Sequence, residues 1–242
     1  MVVRIAVVSD IHGNLVALDA VLARIGSVDA LWHLGDVVGY GPEPDGVVER
    51  LATLGALGVR GNHDAAASGG TEIEWFNPDA RAAMEWTRSA IAETTRAWLA
   101  ALPLRRIESG FTLVHGSPRD PIWEYVTSAA LARAGLSAIS TAHGLHGHTH
   151  VPIAFTEVDG RMRTLAPRAG NTVALGEGRT LLNPGSVGQP RDGDPRASYL
   201  VIDLEAATAT WGRTAYDVEA VGATMRAAGL PIRLAERLRV GL

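Results

Sequence analysis

The sequence has no cysteine. That excludes disulfides, zinc fingers, thiolate nucleophiles and iron–sulfur clusters at once. Lysine is missing too, so all 22 basic residues are arginine. They form no run or stripe of the kind that marks a general nucleic-acid or anionic-membrane binder, and the formal net charge is −4. Aromatic residues supply only 5% of the chain. Met1 to Val8 reaches Ser9-Asp10 too soon for a signal peptide or a membrane span, so a cytoplasmic location is expected. What remains is 242 residues with 47% hydrophobic and 20% charged positions. That suits one α/β domain over 1–242 with a well-buried core.

The first third alternates strand and helix. Val2 to Val8 is a β-branched run typical of a strand buried on both faces. Leu15, Leu18, Leu22 and Ile25 then recur at helical spacing, with Gly26 as a stop. Ala30 to Leu34 is a second strand, Val47 to Leu54 a second helix and Ala56 to Val59 a weaker third strand. Ala65 to Phe76 reads as loop, and Asn77 to Leu102 as one long helix with Asn77 as N-cap and Pro78 at its first position. Together they make a helical insert at about 65–103. Strands are expected at 111–114 and 140–146, with a short helix at 128–134. After Val151 the pattern turns to hairpins, the clearest around Asp159-Gly160, and Val218 to Ala228 is a closing helix. Two sheets packed together with helices outside is the simplest arrangement that buries both halves.

Polar residues gather where these strands end: Asp10 with His12, Asp36, Asn62-His63-Asp64, His115, and His148 with His150. In open α/β sheets that edge is where ligands bind. The tetrapeptide Gly61-Asn62-His63-Asp64 suits a loop rather than the interior of a strand or helix. Asp10 and His12 are two residues apart, as are His148 and His150, so in an extended chain each pair faces one side and could grip one ion. Imidazoles, carboxylates and an amide oxygen together suit a pair of divalent ions. Ions ~3.5–4 Å apart can clamp the attacking and leaving oxygens of a phosphoryl group. Asp36, with no histidine neighbour of its own, is the candidate bridge.

Asp10-Ile11-His12, Gly35-Asp36, Gly61-Asn62-His63-Asp64, His115-Gly116 and Gly147-His148-Thr149-His150 resemble, in order, the signature of the calcineurin-like metallophosphoesterase family. Asn183-Pro184-Gly185-Ser186-Val187 and its hairpins resemble the small bacterial phosphodiesterase branch. The resemblance implies a four-layer α/β/β/α sandwich of two mixed sheets flanked by helices. It implies one metal on Asp10, His12, Asp36 and His150, and a second on Asp36, Asn62, His115 and His148. Manganese is favoured, with iron, zinc, nickel and cobalt as alternatives. It further implies that a hydroxide bridging the metals attacks phosphorus, that His63 faces the leaving oxygen and that Asp64 orients His63.

Phosphodiester hydrolysis of small or nucleotide-like substrates is therefore the leading expectation. Phosphomonoester or phosphoprotein hydrolysis and diadenosine tetraphosphate hydrolysis are the enzymatic alternatives, and a metal-bound interaction scaffold is the non-enzymatic one. A scaffold would be expected to have lost His63 or part of the ligand set, and neither is lost. Substrate contacts are assigned to Arg191, Tyr40 and Trp75. Surface exposure competes for Arg191, and core cover or a subunit contact in a homo-oligomer competes for Trp75. No membrane partner is expected. His33, His143 and His146 read as packed or hydrogen-bonded core histidines.

Overall fold

The computed structural model describes residues 3–71, 73–74 and 76–242. Trp75 lies outside them. The chain opens with β1 (Arg4–Val8), α1 (Leu15–Ile25), β2 (Ala30–His33), α2 (Pro44–Thr53) and a two-residue β3 (Leu57–Gly58). β1, β2 and β3 run parallel, as their continuous apolar character requires. The helices start where side chains satisfy their first amides. Asn14 accepts from the amide of Ala17 at 3.0 Å, and Pro44 enters α2 at its first turn, where no amide is needed.

Three helices follow: α3 (Asn62–Ala67), α4 (Pro78–Ala90) and α5 (Glu93–Ala101). Two expectations are corrected here. Asn62-His63-Asp64 is the first turn of α3 rather than a loop. The single helix expected from Asn77 to Leu102 breaks at Ile91-Ala92, both extended (ψ 140° and 155°). The break buries Ile91 and aims the Ala92 amide at the Asp45 carboxylate, 3.1 Å away. Asn77 caps α4 by accepting from Ala80 at 3.0 Å. Ala66, Ala83, Met84 and Leu99 pack into the same cluster as Leu18, Val47 and Leu51, so these helices extend the layer over the first sheet.

The second sheet begins with β4 (Arg105–Glu108) and β5 (Phe111–Val114), then α6 (Ala129–Ser137) and β6 (His143–Leu145). Its hairpin is β7 (Ile153–Val158) with β8 (Arg161–Leu165). Asp159 and Gly160, with φ of 49° and 71°, form the turn. β9 (Thr172–Ala174), β10 (Arg179–Asn183), β11 (Ala197–Asp203), β12 (Thr208–Thr214), α7 (Val218–Ala227) and α8 (Ile232–Arg237) complete the chain. The sheets have six strands each, ordered β3-β2-β1-β11-β12-β9 and β4-β5-β6-β10-β7-β8, and both mix parallel with antiparallel pairs.

β1 explains how the layers stack. Ile5 and Val7 enter the core between the sheets with Trp32, Phe111, Leu113 and Trp211. Ala6 and Val8, on the opposite face, pack under α1 and α2. Phe155 and Leu181 do the same for α6 on the outer face of the second sheet. The result is the four-layer α/β/β/α sandwich. No helix among the described residues is long and apolar enough to cross a membrane.

Candidate metal centre

The carboxyl ends of β1, β2, β3, β5 and β6 meet at one edge of the sandwich, so both sheets contribute to one cluster. The loops after β1 and β2 are laced together by backbone. Asp10 donates to the Gly35 carbonyl (3.1 Å), His12 to Asp36 (2.9 Å) and Gly13 to Val37 (2.8 Å). From the far side, Ser186 Oγ donates to the Asp10 carbonyl at 2.8 Å. Asn183 Nδ2 donates to the Gly147 carbonyl at 2.8 Å. The Asn183–Ser186 stretch thus braces ligand-bearing loops rather than offering ligands.

This bracing holds an uncommon backbone. Among the described residues, nine non-glycine residues have positive φ, and six of them are Asp10 (52°), His12 (53°), Asp36 (51°), Tyr40 (58°), His148 (67°) and His150 (60°). Such conformations cost free energy and persist only where surroundings impose them. They also overturn the extended-chain expectation for one of the two spaced pairs. Asp10 and His12 do share one donor group, but His148 and His150 are parted between two.

The first group is Asp10, His12, Asp36 and His150, and the second is Asp36, His115 and His148. Asn62 joins the second, its Oδ1 lying 3.0 Å from His115 Nε2. Asp36 serves both. Its Oδ2 lies 3.7 Å from His12 Nε2 and 3.4 Å from His115 Nε2, while its Oδ1 accepts from the His63 amide at 2.9 Å. A Cβ on Gly61 would enter this carboxylate, so only glycine fits there.

The donor atoms suit a divalent cation. His12 Nδ1 donates to the Val38 carbonyl (3.1 Å), His150 Nδ1 to Gln189 (2.6 Å) and His115 Nδ1 to Leu34 (2.8 Å). Backbone acceptors thereby fix the tautomers, and the Nε2 lone pairs turn inward. His12 Nε2 and His150 Nε2 then face each other at 3.2 Å, an arrangement of two lone pairs that a shared cation would stabilise. Burial pushes Asp10 up to about 7. Burial also opposes the charge of His115, but Asp36 outweighs it and lifts the imidazole to about 9. Burial takes His148 down to about 3.

His63 sits beside this cluster, buried, with ring centroids 4.5 Å from Tyr40 and 4.8 Å from Phe76. Its Nδ1 has no partner among the described residues and lies against Gly39, whose φ of 90° and missing Cβ make the approach possible. Burial holds this imidazole down at about 4. The expectation that Asp64 orients His63 is corrected. The Asp64 carboxylate accepts from the amides of Val37 (2.8 Å), Val38 (3.2 Å) and Gly61 (3.0 Å) and does not touch the imidazole. It ties the start of α3 to the Asp36 loop.

A cavity of about 270 Å³ opens above the donors, lined by Asp36, His63 and His150 together with Tyr40, Arg191, Tyr125 and Arg237. Tyr40 and Arg191 were expected there. Tyr125, stacked on His148 at 3.9 Å, and Arg237, from α8, were not. Tyr125 lies ten residues beyond His115 in a loop rich in aromatic residues, which is a usable signal; nothing local marks Arg237. Arg119 is held by Glu124 at 2.6 Å and does not line the cavity. His33 stacks on Trp98, and His143 bonds Thr180 at 2.9 Å, as core histidines do.

Residues 3–207 match the profile of the calcineurin-like phosphoesterase superfamily domain. The chain belongs to that superfamily. A metallophosphoesterase from Sphaerobacter thermophilus has the same fold, with a TM-score of 0.92 and 43% identity over all of both chains. A protein of uncharacterised function from Methanocaldococcus jannaschii is 35% identical over 98% of each chain. A symmetrical bis(5′-nucleosyl)-tetraphosphatase from Aromatoleum aromaticum is 32% identical over 44% of this chain and 40% of its own length. The protein is accordingly a metal-dependent phosphoester hydrolase.

Proposed function

We propose that this superfamily member is a two-metal phosphodiesterase acting on small or nucleotide-like phosphate esters. The observation that carries the reading is Asp36, whose Oδ2 belongs to two donor groups at once and so suits two neighbouring cations. Asp10, His12, Asp36 and His150 would hold one, and Asp36, Asn62, His115 and His148 the other. Two divalent ions bound there would supply hydroxide at neutral pH and would draw charge from the phosphate oxygens.

The chain's own residues supply the rest. His63, neutral because of burial, presents a ring N–H to the leaving oxygen from the cavity wall. Arg191 offers its guanidinium to a phosphate oxygen. Asp64 keeps α3 docked on the Asp36 loop, which sets where His63 points. Beyond the donors the cavity reaches Tyr40, Tyr125 and Leu242. That is room for the second ester substituent a monoester lacks. Dinucleoside polyphosphate hydrolysis is a second reading, favoured by the tetraphosphatase relatives.

The test is to strip the protein of metal, reload it with manganese, iron, zinc, nickel or cobalt alone, and assay bis-aryl phosphate, mono-aryl phosphate and a dinucleoside tetraphosphate. Turnover is expected to be faster on the bis-aryl phosphate than on the mono-aryl phosphate. No hydrolysis of any of the three with any metal sinks the reading.

A further inference from the structure

Arg191 and Arg237 approach one aromatic ring from different elements. Their Cζ atoms lie 5.9 Å and 4.7 Å from the centroid of Tyr40, and both side chains line the cavity above the metal ligands. Arg191 is anchored by its backbone amide, which donates to the His150 carbonyl at 3.4 Å. Its guanidinium makes no hydrogen bond or ion pair among the described residues, and its Nε is buried without a partner. Arg237 also has a buried, unpartnered Nε; among the described residues the acceptors within reach of its side chain are Gln189 Oε1 and the Tyr40 hydroxyl, both neutral groups. Neither arginine has a carboxylate within salt-bridge distance among the described residues.

Two permanent positive charges on one ring repel each other, and the ring face offsets only part of that cost. Burying donor N–H groups without acceptors adds to it. Such an arrangement is stable in use when an anion with several oxygens sits between the forks. The metal ligands already account for the phosphate under attack. Arg191 stands near them, close enough to weigh on the charge of Asp10, His12 and His150. Arg191 also weighs on His63, and Arg237 does so more weakly from farther out, over Tyr40, where a group attached to the reacting phosphate would lie.

We propose that Arg191 and Arg237 form a subsite for a second phosphate, joined to the reacting one through a bridging oxygen, so that the preferred substrates are nucleotides carrying two or more linked phosphates. The proposal rests on the phosphoesterase reading for the position of the reacting phosphate, but binding at the subsite can be measured without turnover. The shared chemistry is the phosphoanhydride, whether it comes from a mononucleotide polyphosphate or a dinucleoside polyphosphate.

The test compares wild type with Arg237→Gln and Arg237→Lys, all metal-loaded. Methylenediphosphonate and methylphosphonate, neither of which can be hydrolysed, are titrated by calorimetry. ADP, diadenosine tetraphosphate and bis-aryl phosphate are assayed for turnover. Wild type is expected to bind the diphosphonate at least tenfold more tightly than the monophosphonate. Arg237→Gln should shrink that ratio at least fivefold, with Arg237→Lys intermediate. The kcat/KM of Arg237→Gln should fall at least tenfold further on the better of the two polyphosphates than on the bis-aryl phosphate. Which polyphosphate wild type prefers identifies the source of the second phosphate. Equal affinity for the two phosphonates, or the same proportional loss on both in Arg237→Gln, overturns the subsite. If the diphosphonate preference holds and depends on Arg237 while nothing is turned over with any metal, the subsite stands and the phosphoesterase reading falls. Metal content and circular dichroism matching wild type exclude a folding defect, and Arg191→Gln serves as a second variant if Arg237→Gln does not fold.

Discussion

The floor of the cavity and its walls are built on different terms. On the floor, Asp10, His12, Asp36, Asn62, His115, His148 and His150 are all buried, and five of them have positive φ. Their positions are set by backbone hydrogen bonds between loops that the sheets hold in place. On the walls, Tyr125 is 47% exposed and Leu242 65% exposed, and Arg237 comes from a six-residue helix near the end of the chain. Those positions rest on side-chain rotamers and surface contacts. A floor fixed by backbone under a wall of side chains lets the chemistry stay the same while the substrate is chosen by a few side chains of the wall.

That contrast predicts a steep gradient of mutational effects. Asp36→Asn attacks the floor where both donor groups meet. It is expected to cut activity by roughly 10³-fold or more and to lower the bound metal below two ions per chain, measured by elemental analysis. Retention of two ions with only a small loss of rate would remove Asp36 as the bridge. His63→Gln acts at the boundary between floor and wall. Its kcat should fall roughly 10²–10³-fold while metal content stays at the wild-type value. A parallel loss of metal would make His63 a structural residue instead. Asp64→Asn is milder. The amide offers one acceptor oxygen where three backbone N–H groups now bond a carboxylate, so stability should fall by about 1–3 kcal/mol. Thermal unfolding of the metal-free protein reads this. If Asp64 acted only through His63, stability would be untouched and the rate alone would drop.

The same contrast explains what could be read in the sequence. The floor was legible because each of its residues is a polar side chain where an apolar strand run stops, most with a glycine adjacent. The assignment of His148 and His150 to different donor groups was not legible from spacing, because positive φ at both residues reverses the directions an extended chain would give. Asp64 was misassigned for a related reason: adjacency to His63 suggests a partner, whereas helical geometry turns its carboxylate back onto Gly61 and the Asp36 loop. β4 was missed because it is an edge strand, Arg-Arg-Ile-Glu, with no apolar run to mark it. Arg237 was missed because nothing in α8 distinguishes a surface arginine from one that folds over Tyr40. Wall residues are chosen by tertiary packing, and packing leaves little local trace.

The smallest expected effect lies away from both regions and tests whether burial, aided by the charge of Arg106, shifts a histidine here. His33 ends β2, stacked on Trp98 at 5.6 Å, with neither ring nitrogen hydrogen-bonded among the described residues. Burial holds it down at about 3, against an ordinary value of 6.5. Between those values the unfolded chain takes up a proton that the folded chain refuses. The contribution of His33 is therefore undiminished above pH 6.5 and is lost as pH falls through that value toward 3, by at most about 1.4 kcal/mol per pH unit. His33→Phe keeps the stacking surface and removes the titrating group. At pH 7 its stability should lie within about 1 kcal/mol of wild type, since no hydrogen bond is lost. At pH 5 the variant should be the more stable of the two. Urea unfolding at pH 7, 6 and 5 measures the difference. A gap between variant and wild type that does not change with pH would mean that His33 is not neutral in the folded chain, and that solvent or a partner reaches its ring.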